Sequence, residues 1–448
     1  MEKSRGRFIS KIGIVLATAG SAVGLGNIWR FPYETGQNGG AAFILIYLVC
    51  ILLLGIPAML CELIIGRNAK ANATRAYGKG PWRLVGYMGV LTGFTIMGFY
   101  CVVAGWTMQY VYAAIVGRMH GDTAYFQQYF SEFSSHPYRP VLWMALFMLL
   151  THLVINKGVQ KGIERASKIL MPILFLLLLV LVVCSLSLPN AMKGVEFLLK
   201  PDFSEVTGKT FFDALGQTFF TLSTGMACLC TYASYFGHDV NLTKSAFQVA
   251  AIDTLVAILS GLVIFPAAFS VGVSPDAGPS LIFITLPNVF EQAFSAVPAV
   301  GYVVSILFFL LLSLAALTSV ISMHETPTAF VAEEFHIERK KAAWIVTILA
   351  IITGTLCSLS LGAVPSLQII GKSLFDFFDF LSANILLTMG GMLTCIYVGW
   401  VMPRQQVHDQ MTNWGTYQNG FYPLFVPAAR YVCPIGILMI FLHQFGLI

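Results

Sequence analysis

Long apolar runs recur from one end of the chain to the other, separated by short polar segments with turn-forming residues. A run of about 20 apolar residues is long enough to cross the hydrocarbon core of a bilayer as an α-helix. The strands of a membrane β-barrel would alternate apolar and polar positions instead, and these runs do not alternate. The pattern predicts an all-α polytopic membrane protein with eleven transmembrane helices, at residues 11–34, 41–66, 84–117, 140–156, 166–188, 211–236, 245–270, 296–332, 342–361, 374–401 and 421–447.

The composition points to the same class of protein. Of the 448 residues, 57% are hydrophobic and only 10% are charged, whereas about 25% of a typical soluble protein is charged. So little charge cannot cover the surface of a soluble fold of this size. The net charge of +5 is spread along the chain without a basic tail or patch, so nucleic acid is not an expected partner.

The distribution of lysine and arginine predicts the orientation. With the N-terminus in the cytoplasm, about 18 of these residues fall in cytoplasmic segments and about six in external loops. Cytoplasmic loops of membrane proteins carry an excess of Lys and Arg. We therefore expect a multi-pass protein of the cell membrane (the inner membrane in bacteria) with a cytoplasmic N-terminus, and eleven spans place the C-terminus outside.

Two of the predicted spans contain helix-breaking segments. Gly20–Asn27 interrupts the first span and Thr221–Ala227 interrupts the sixth. Broken helices at matching positions of two inverted halves are typical of the binding site of a transporter, because their freed backbone groups can hold ions and substrate. Gly20 and Gly24 also form a GxxxG pair, so close packing of this helix against a neighbouring helix is an alternative that the spacing alone leaves open.

Few charged residues fall inside the spans. Arg30, Glu62 and Asp253 do so, and Asp376 and Asp379 lie near the outer end of the tenth span. Charged groups within a membrane are costly and usually functional. His152 and His324 are interpreted as polar core or interface residues and not as ligands. The nine cysteines are interpreted as small core residues, because they fall in apolar runs without a CxxC pattern.

Several motifs along residues 5 to 400 carry a family resemblance. Residues 20–32 read GSAVGLGNIWRFP and residues 38–43 read NGGAAF, while QTFFTLS (217–223), TYASY (231–235) and AALTS (315–319) follow in order. This series resembles the neurotransmitter:sodium symporter family, and within it the bacterial amino-acid transporters. The resemblance implies a five-plus-five inverted repeat with broken helices 1 and 6. The first repeat (helices 1–5) would cover residues 1–190 and the second (helices 6–10) residues 191–403. A cytoplasmic loop and helix 11 would follow at residues 404–448.

The resemblance also implies two sodium sites. The first ion would be held by the Ala22 carbonyl, Asn27, Thr221 and an acid or amide on helix 7, for which Asp253 is the candidate. The second would be held by carbonyls and hydroxyls of Gly20, Val23, Ala315, Thr318 and Ser319.

The expected substrate is an amino acid with its carboxylate on the backbone N–H groups of Leu25 and Gly26 and the Tyr100 hydroxyl. The whole implied binding set is Ala22, Gly24, Leu25, Gly26, Ile96, Tyr100, Phe220, Thr221, Ser223, Met226, Ser319 and Met323. Arg30 and Asp379 would form an outer gate, with Phe220 as a lid. Arg5, Ser234, Tyr235 and Glu333 would form an inner gate, Glu62 would support the break in helix 6, and Gly162 with Pro172 would mark a segment of helix 5 that unwinds.

Three features of the sequence refine the expected substrate and ions. Gly24 stands where monoamine-transporting members carry an aspartate, which favours an α-amino acid; Met226 and Met323 make the pocket adaptable and apolar, which favours large hydrophobic or aromatic side chains. Asp253 supplies a fixed negative charge, so transport is expected to be independent of chloride. Its spacing to Pro266 leaves open whether it takes the sodium-ligand or the anion position.

Other functions remain as alternatives. A transporter of the same fold coupled to protons, or one for another amino acid or an amine, is the main alternative, although Thr318 and Ser319 favour sodium. A channel would need a continuous polar pore. An enzyme is not expected, since motifs such as HExxH and GxSxG are missing from the sequence. Phe8 stands where the family has an inner-gate tryptophan, and the oligomeric state is left open.

Overall fold

The computed structural model describes residues 6–272 and 282–447, and these residues are almost entirely helical. The α-helices are α1 (Lys11–Ala22), α2 (Phe31–Gln37), α3 (Ala41–Cys50), α4 (Ile56–Ala69), α5 (Ala73–Ala76), α6 (Arg83–Ile115), α7 (Thr123–Ser134), α8 (Arg139–Asn156), α9 (Arg165–Leu186), α10 (Ala191–Leu199), α11 (Gly208–Thr221), α12 (Cys228–Ala233), α13 (Leu242–Ser270), α14 (Thr285–Ala293), α15 (Pro298–Glu334), α16 (Arg339–Leu359), α17 (Leu374–Phe380), α18 (Leu387–Ile396), α19 (Arg404–Thr412), α20 (Tyr422–Pro427) and α21 (Cys433–Gln444).

Short irregular elements connect these helices. A 3₁₀ turn covers Phe203–Glu205, and a two-stranded antiparallel hairpin pairs β1 (Gln368–Ile369) with β2 (Lys372–Ser373). Single π-helical turns cover Gly26–Arg30, Ile51–Gly55, Val159–Glu164, Leu381–Leu386, Tyr397–Val401 and Ala428–Val432. Such turns are rare in proteins and frequently lie at functional sites.

Within the described residues, nine helices are long and apolar enough to cross a membrane. Lys11–Ala22 and Gly26–Gln37 form a further pair that is bent by 56° and raises the number to ten if it is one span. The predicted span 211–236 is not among them, because its helical residues are divided between α11 and α12. Of the predicted non-spanning segment 273–292, the first nine residues lie outside the described part of the chain and the rest contains α14.

The long helices form a bundle around the broken ones. The helices α6, α8, α15 and α16 pack against one another, and α1 packs against α9, α13 and α15. The short helix α12 packs on α4 and α15. As a result both helix breaks are enclosed by protein, which is the condition under which irregular backbone is stable at membrane depth.

The first break has a clear local cause. The α-helix ends at Ala22, and Val23 takes an extended conformation with ψ at 114°. Gly20 also allows close packing, since a Cβ atom there would lie 3.3 Å from the Cβ of Thr318 and 3.4 Å from the Sδ of Met171. Both explanations for the glycines are therefore correct: Gly20 serves close packing, and the helix opens immediately after it.

The second break uses left-handed backbone. Ser223, Gly225 and Ala227 have φ angles of 54°, 92° and 58°. A Cβ atom on Gly225 would collide with the carbonyl oxygen of Leu387 on α18. Only glycine has both the required freedom and the small size at this position.

The predicted core residues are buried. His152 and His324 share the hydroxyl of Thr347, at 2.9 and 2.8 Å, which links α8, α15 and α16. Eight of the nine cysteines are buried, and Cys184 is partly exposed. These residues therefore belong to the helix-packing core, as the sequence predicts.

Candidate functional site

The two breaks meet in the middle of the bundle at a cluster of three polar side chains. The Nδ2 of Asn27 donates hydrogen bonds to the Asp253 carboxylate at 2.7 Å and to the Thr221 hydroxyl at 3.1 Å. Thr221 donates to both carboxylate oxygens of Asp253, at 2.9 and 3.2 Å. Asp253 is fully buried and has no cationic side chain among its hydrogen-bond partners in the described residues. The cluster therefore holds a buried carboxyl group in hydrogen-bond contact with two polar side chains.

Two unpartnered polar side chains lie in the same buried region. Among the described residues, the hydroxyl of Tyr47 and both amide atoms of Gln217 have no hydrogen-bond partner, and both residues are completely buried. Gln217 lies one helical turn before Thr221 on α11, and α11 packs against α3, which carries Tyr47. Burying such groups without partners is costly, so this region is suited to an ion or water rather than to apolar packing.

A second set of oxygens lies on the other side of the first break. The carbonyl of Val23 accepts hydrogen bonds from Ser319 at 3.0 Å and from Thr318 at 3.4 Å. Thr318 also donates to the carbonyl of Ala315 at 2.9 Å. With Gly20 packed directly against Thr318, carbonyl and hydroxyl oxygens of α1 and α15 converge here. Hard cations prefer ligands of this kind.

A small cavity of about 30 Å³ lies between these two oxygen clusters. It is lined by Ser21, Leu387 and eleven of the predicted binding residues, namely Ala22, Gly24, Gly26, Ile96, Tyr100, Phe220, Thr221, Ser223, Met226, Ser319 and Met323. Leu25 contributes its backbone: its N–H donates to the Tyr100 hydroxyl at 2.9 Å. The predicted substrate residues are thus brought together around one cavity.

The glycines of the first break give room for this cavity. A Cβ atom on Gly24 would meet the Oγ of Ser319 and lie 2.9 Å from the Tyr100 hydroxyl. A Cβ atom on Gly26 would lie 2.8 Å from the ring of Phe220. A larger residue in place of Gly24 or Gly26 would therefore occupy part of the small cavity. The polar end of a ligand could then no longer reach the backbone of the first break.

A larger outer cavity of about 360 Å³ adjoins the first one, and Phe220 and Tyr100 line both. The Arg30 guanidinium lies over the Phe220 ring, 4.6 Å from its centroid, and pairs with Glu34 at 3.5 Å. Arg30 and Asp379 both line the outer cavity, but within the described residues no ion pair joins them. The predicted outer-gate residues therefore face each other across an open space above the Phe220 ring.

The opposite end of the bundle is closed by aromatic and ionic contacts. Phe8 packs against Tyr232, Tyr235 and Phe236 with ring centroids about 6 Å apart. The Tyr235 hydroxyl donates to Glu325 at 2.6 Å, and Arg339 binds the same carboxylate through two nitrogens.

Other predicted inner-gate residues lie at this end too. Ser234 donates to the carbonyl of Thr231, and Glu333 accepts from the backbone N–H of Asn72 at 2.8 Å. Arg5 lies outside the described residues.

Glu62 stabilises the second break through hydrogen bonds to its backbone. Its buried carboxylate accepts the backbone N–H of Gly225 at 2.5 Å and that of Cys230 at 3.2 Å, and the N–H of Leu229 also points to it. A carboxylate thus caps the start of α12 and satisfies donors that the break leaves free.

Three residues of this region are not identified by the sequence. Glu34 lies one helical turn after Arg30, a spacing that could have revealed the pair. Ser322, one turn after Ser319, bonds to Ser21 at 2.9 Å. Leu387 carries no polar signal at all, because its contribution is a backbone contact with Gly225 and an apolar wall.

The chain is similar to members of one known family over nearly its whole length. The chain matches the model of the sodium:neurotransmitter symporter family over residues 5–125 and 122–447. It is 39% identical to the uncharacterized sodium-dependent transporter YhdH of Bacillus subtilis, over 99% of this chain and 98% of the relative, and 35% identical to an uncharacterized sodium-dependent transporter of Haemophilus influenzae, over 99% and 98%.

A solved structure is similar over nearly the whole chain. The crystal structure of MhsT in complex with L-phenylalanine superimposes with a TM-score of 0.87 at 41% sequence identity, covering 98% of this chain and 99% of MhsT. Family match, sequence relatives and fold agree over almost every described residue. The chain is a multi-pass membrane transporter that belongs to the sodium:neurotransmitter symporter family.

Proposed function

We propose that this protein carries hydrophobic and aromatic α-amino acids into the cell together with sodium ions. The observation that carries the proposal is the cavity between the two helix breaks, which has oxygen clusters on two sides and apolar side chains on the others. The phenylalanine bound to MhsT, a structure similar in fold and at 41% identity, supports an amino-acid ligand of this class.

Two sodium ions are proposed, one at each oxygen cluster. Asn27, Thr221, Asp253 and the Ala22 carbonyl would hold the first, and the hydrogen bonds of Asp253 to Asn27 and Thr221 favour the ligand position for its carboxylate. The oxygens of Gly20, Val23, Ala315, Thr318 and Ser319 would hold the second. Oxygen ligands without thiol or imidazole are suited to a hard cation.

The substrate is proposed to bind with its carboxylate toward the first break. The N–H groups of Leu25 and Gly26 open the second half of the broken helix, where a helix dipole favours negative charge. The Tyr100 hydroxyl lies at the same place. The side chain would then lie among Ile96, Phe220, Met226, Met323 and Ser223, and the flexible methionines would move to enlarge the small cavity.

The proposed cycle is alternating access in an eleven-span, inverted-repeat fold, with α11 and α12 together forming the sixth span. From outside, Phe220 and the Arg30–Asp379 pair would close over the loaded cavity. Separation of the Phe8 and Tyr235 contacts would then open the inner side. Gly162 lies in a π-helical turn and Met171 beside Pro172 contacts Gly20, so unwinding of this part of helix 5 would reach the second sodium site directly.

Uptake of radiolabelled amino acids into proteoliposomes tests the proposal. We expect accumulation of phenylalanine, tryptophan and leucine with an inward sodium gradient and none when potassium replaces sodium. Replacing chloride with gluconate should leave the rate unchanged, because Asp253 supplies the negative charge near the ion. Equal uptake without sodium would favour proton coupling, and a preference for glycine, proline or charged amino acids would contradict the proposed substrate class.

Tyr100→Phe is expected to raise the KM for the amino acid roughly 10- to 100-fold, because a hydrogen bond to a charged carboxylate is lost. The matched control is Tyr110→Phe on the same helix, since the Tyr110 hydroxyl is buried without a hydrogen-bond partner. Competition uptake curves for both variants measure the effect. An unchanged KM in Tyr100→Phe would place the substrate carboxylate elsewhere.

A further inference from the structure

A shallow depression of about 880 Å³ shares no lining residue with the two cavities of the transport site, and four of its six lining residues are basic. Its walls are Lys157, Lys161, Arg165 and Lys340, with Asn156 and Leu153 completing the lining. All four cations have exposed side chains. None of them belongs to an ion pair among the described residues, so their charges are uncompensated by protein.

The acid nearest in sequence is engaged elsewhere. The Glu164 carboxylate accepts the backbone N–H groups of Ile9 and Ser10, at 3.0 and 3.2 Å, and pairs with Lys168 at 2.7 Å. It therefore does not neutralise Lys161 or Arg165. In addition, the Oδ1 of Asn156 is buried and unpartnered at the edge of the depression.

The surface next to the depression is apolar. Leu153, Ile169 and Trp344 are 57%, 50% and 46% exposed on α8, α9 and α16, which carry the cations at their ends. The Trp344 ring packs on buried His152, with ring centroids 3.9 Å apart and an angle of 36° between the ring planes. A tryptophan between an apolar surface and a basic end is typical of the membrane–water interface. The ligand that matches such a surface has an anionic head and long acyl chains.

We propose that this depression binds the phosphate headgroup of an anionic phospholipid such as phosphatidylglycerol. The headgroup phosphate would lie among the four cations, and the acyl chains would follow the exposed apolar residues of α8 and α16. Basic pockets between transmembrane helices are suited to anionic headgroups. The exposed apolar surface distinguishes a lipid from free phosphate, which would gain nothing from Leu153 or Trp344.

The position gives the lipid a mechanical consequence. Lys157, Lys161 and Arg165 span the π-helical turn Val159–Glu164, while Lys340 belongs to α16. One headgroup would tie this turn to α16. Since Glu164 holds the backbone just before α1, the bound lipid would stabilise the turn and, through it, the start of the first broken helix.

Native mass spectrometry of the purified full chain tests the proposal, with phosphatidylglycerol and phosphatidylcholine of identical acyl chains as probes. We expect the protein to retain phosphatidylglycerol and to lose phosphatidylcholine. Lys161→Gln with Lys340→Gln should weaken retention of phosphatidylglycerol roughly 30-fold, at about one kilocalorie per mole for each basic residue. The control variant Lys79→Gln with Lys341→Gln removes two exposed charges outside the depression and should bind as the wild type does.

Hydrogen exchange supplies a second measurement. Phosphatidylglycerol should slow amide exchange in residues 157–165 of the wild type and of the control variant, but not of the depression variant. Equal binding of the two lipids, or equal loss of binding in the two variants, would overturn the proposal. Displacement of the lipid by an equal concentration of glycerol phosphate would also overturn it, because the acyl chains would then contribute nothing. Neither measurement uses transport, so the result is independent of the uptake experiment.

Discussion

Asp253→Asn is expected to raise the sodium concentration needed for half-maximal uptake roughly 100-fold or more. The carboxylate is fully buried and hydrogen-bonded to Asn27 and Thr221, which are the other side chains of the proposed first sodium site. At an effective dielectric constant of about 20, opposite unit charges about 4 Å apart attract by about 4 kcal/mol. Asparagine keeps the size of the side chain and one oxygen, but it removes the charge.

The apparent affinity for the amino acid should fall together with the affinity for sodium. In the proposed site the substrate lies beside the first ion, so the variant should also show a higher KM for phenylalanine at fixed sodium. High sodium should partly restore uptake, since the loss is one of ion affinity. A loss of uptake that no sodium concentration restores would instead indicate a folding defect, and thermal unfolding of the purified variant distinguishes that case.

Asp213→Asn is the matched control for this substitution. Asp213 lies on α11, as does Thr221. Its carboxylate pairs with Lys209 at 2.6 Å and does not line the cavity. Its replacement removes the same charge from α11, the helix that supplies Thr221, and not from α13, which carries Asp253, so the sodium dependence should stay unchanged. If Asp253→Asn has wild-type sodium dependence, the carboxylate is not part of the ion site. If chloride then becomes necessary for uptake, the carboxylate acts as the fixed anion.

The site cluster could be predicted from the sequence because polar residues stand out in apolar helices. Asn27, Thr221 and Asp253 are rare polar positions in three long apolar runs, and the structure brings all three into hydrogen-bond contact. The direction of the Asp253 side chain could not be predicted, because a shift of one residue in the alignment of α13 turns the side chain by about a quarter of a turn. The spacing between Asp253 and Pro266 leaves this shift of one residue open.

The ionic contacts at the outer cavity show a different limit. The family resemblance implies a pair of Arg30 with Asp379, whereas the guanidinium lies on Phe220 and beside Glu34. A partner on the same helix is always near, but a partner on another helix requires the two helices to approach. Whether Arg30 pairs with Glu34 or with Asp379 therefore depends on how far the outer cavity is closed, and the sequence alone contains no information on that closure.

The helix count illustrates a third limit. Hydropathy finds helices that are continuous, and nine in the described residues meet that criterion, with the bent pair at α1 as a tenth. The segment 211–236 fails because its polar break divides it into α11 and α12. The polar residues of the break at 221–227 therefore have two effects. They indicate a functional site, and they exclude this segment from a count based on helix length and apolarity.

Glu62→Ala is expected to destabilise the protein and to abolish uptake. The carboxylate accepts the N–H groups of Gly225 and Cys230, and alanine would leave these donors buried without an acceptor. Each buried unsatisfied donor costs about 1–3 kcal/mol, so a loss of roughly 3 kcal/mol or more is expected. In thermal unfolding of the purified protein the midpoint should fall by several degrees. Glu205→Ala, which removes an exposed carboxylate, should leave both stability and uptake unchanged.

Glu62→Gln separates the role of the carboxylate from simple filling of space. Glutamine has nearly the same volume, but one of its terminal groups is a donor and would face a backbone N–H instead of accepting from it. The second break should therefore lose its fixed conformation while the surrounding helices still pack. A ligand that binds only the native site stabilises the native state, so sodium with phenylalanine should raise the unfolding midpoint of the wild type and not that of Glu62→Gln. An equal rise in both would show that the cavity forms without the carboxylate, and Glu62 would then be only a buried charge that the fold tolerates.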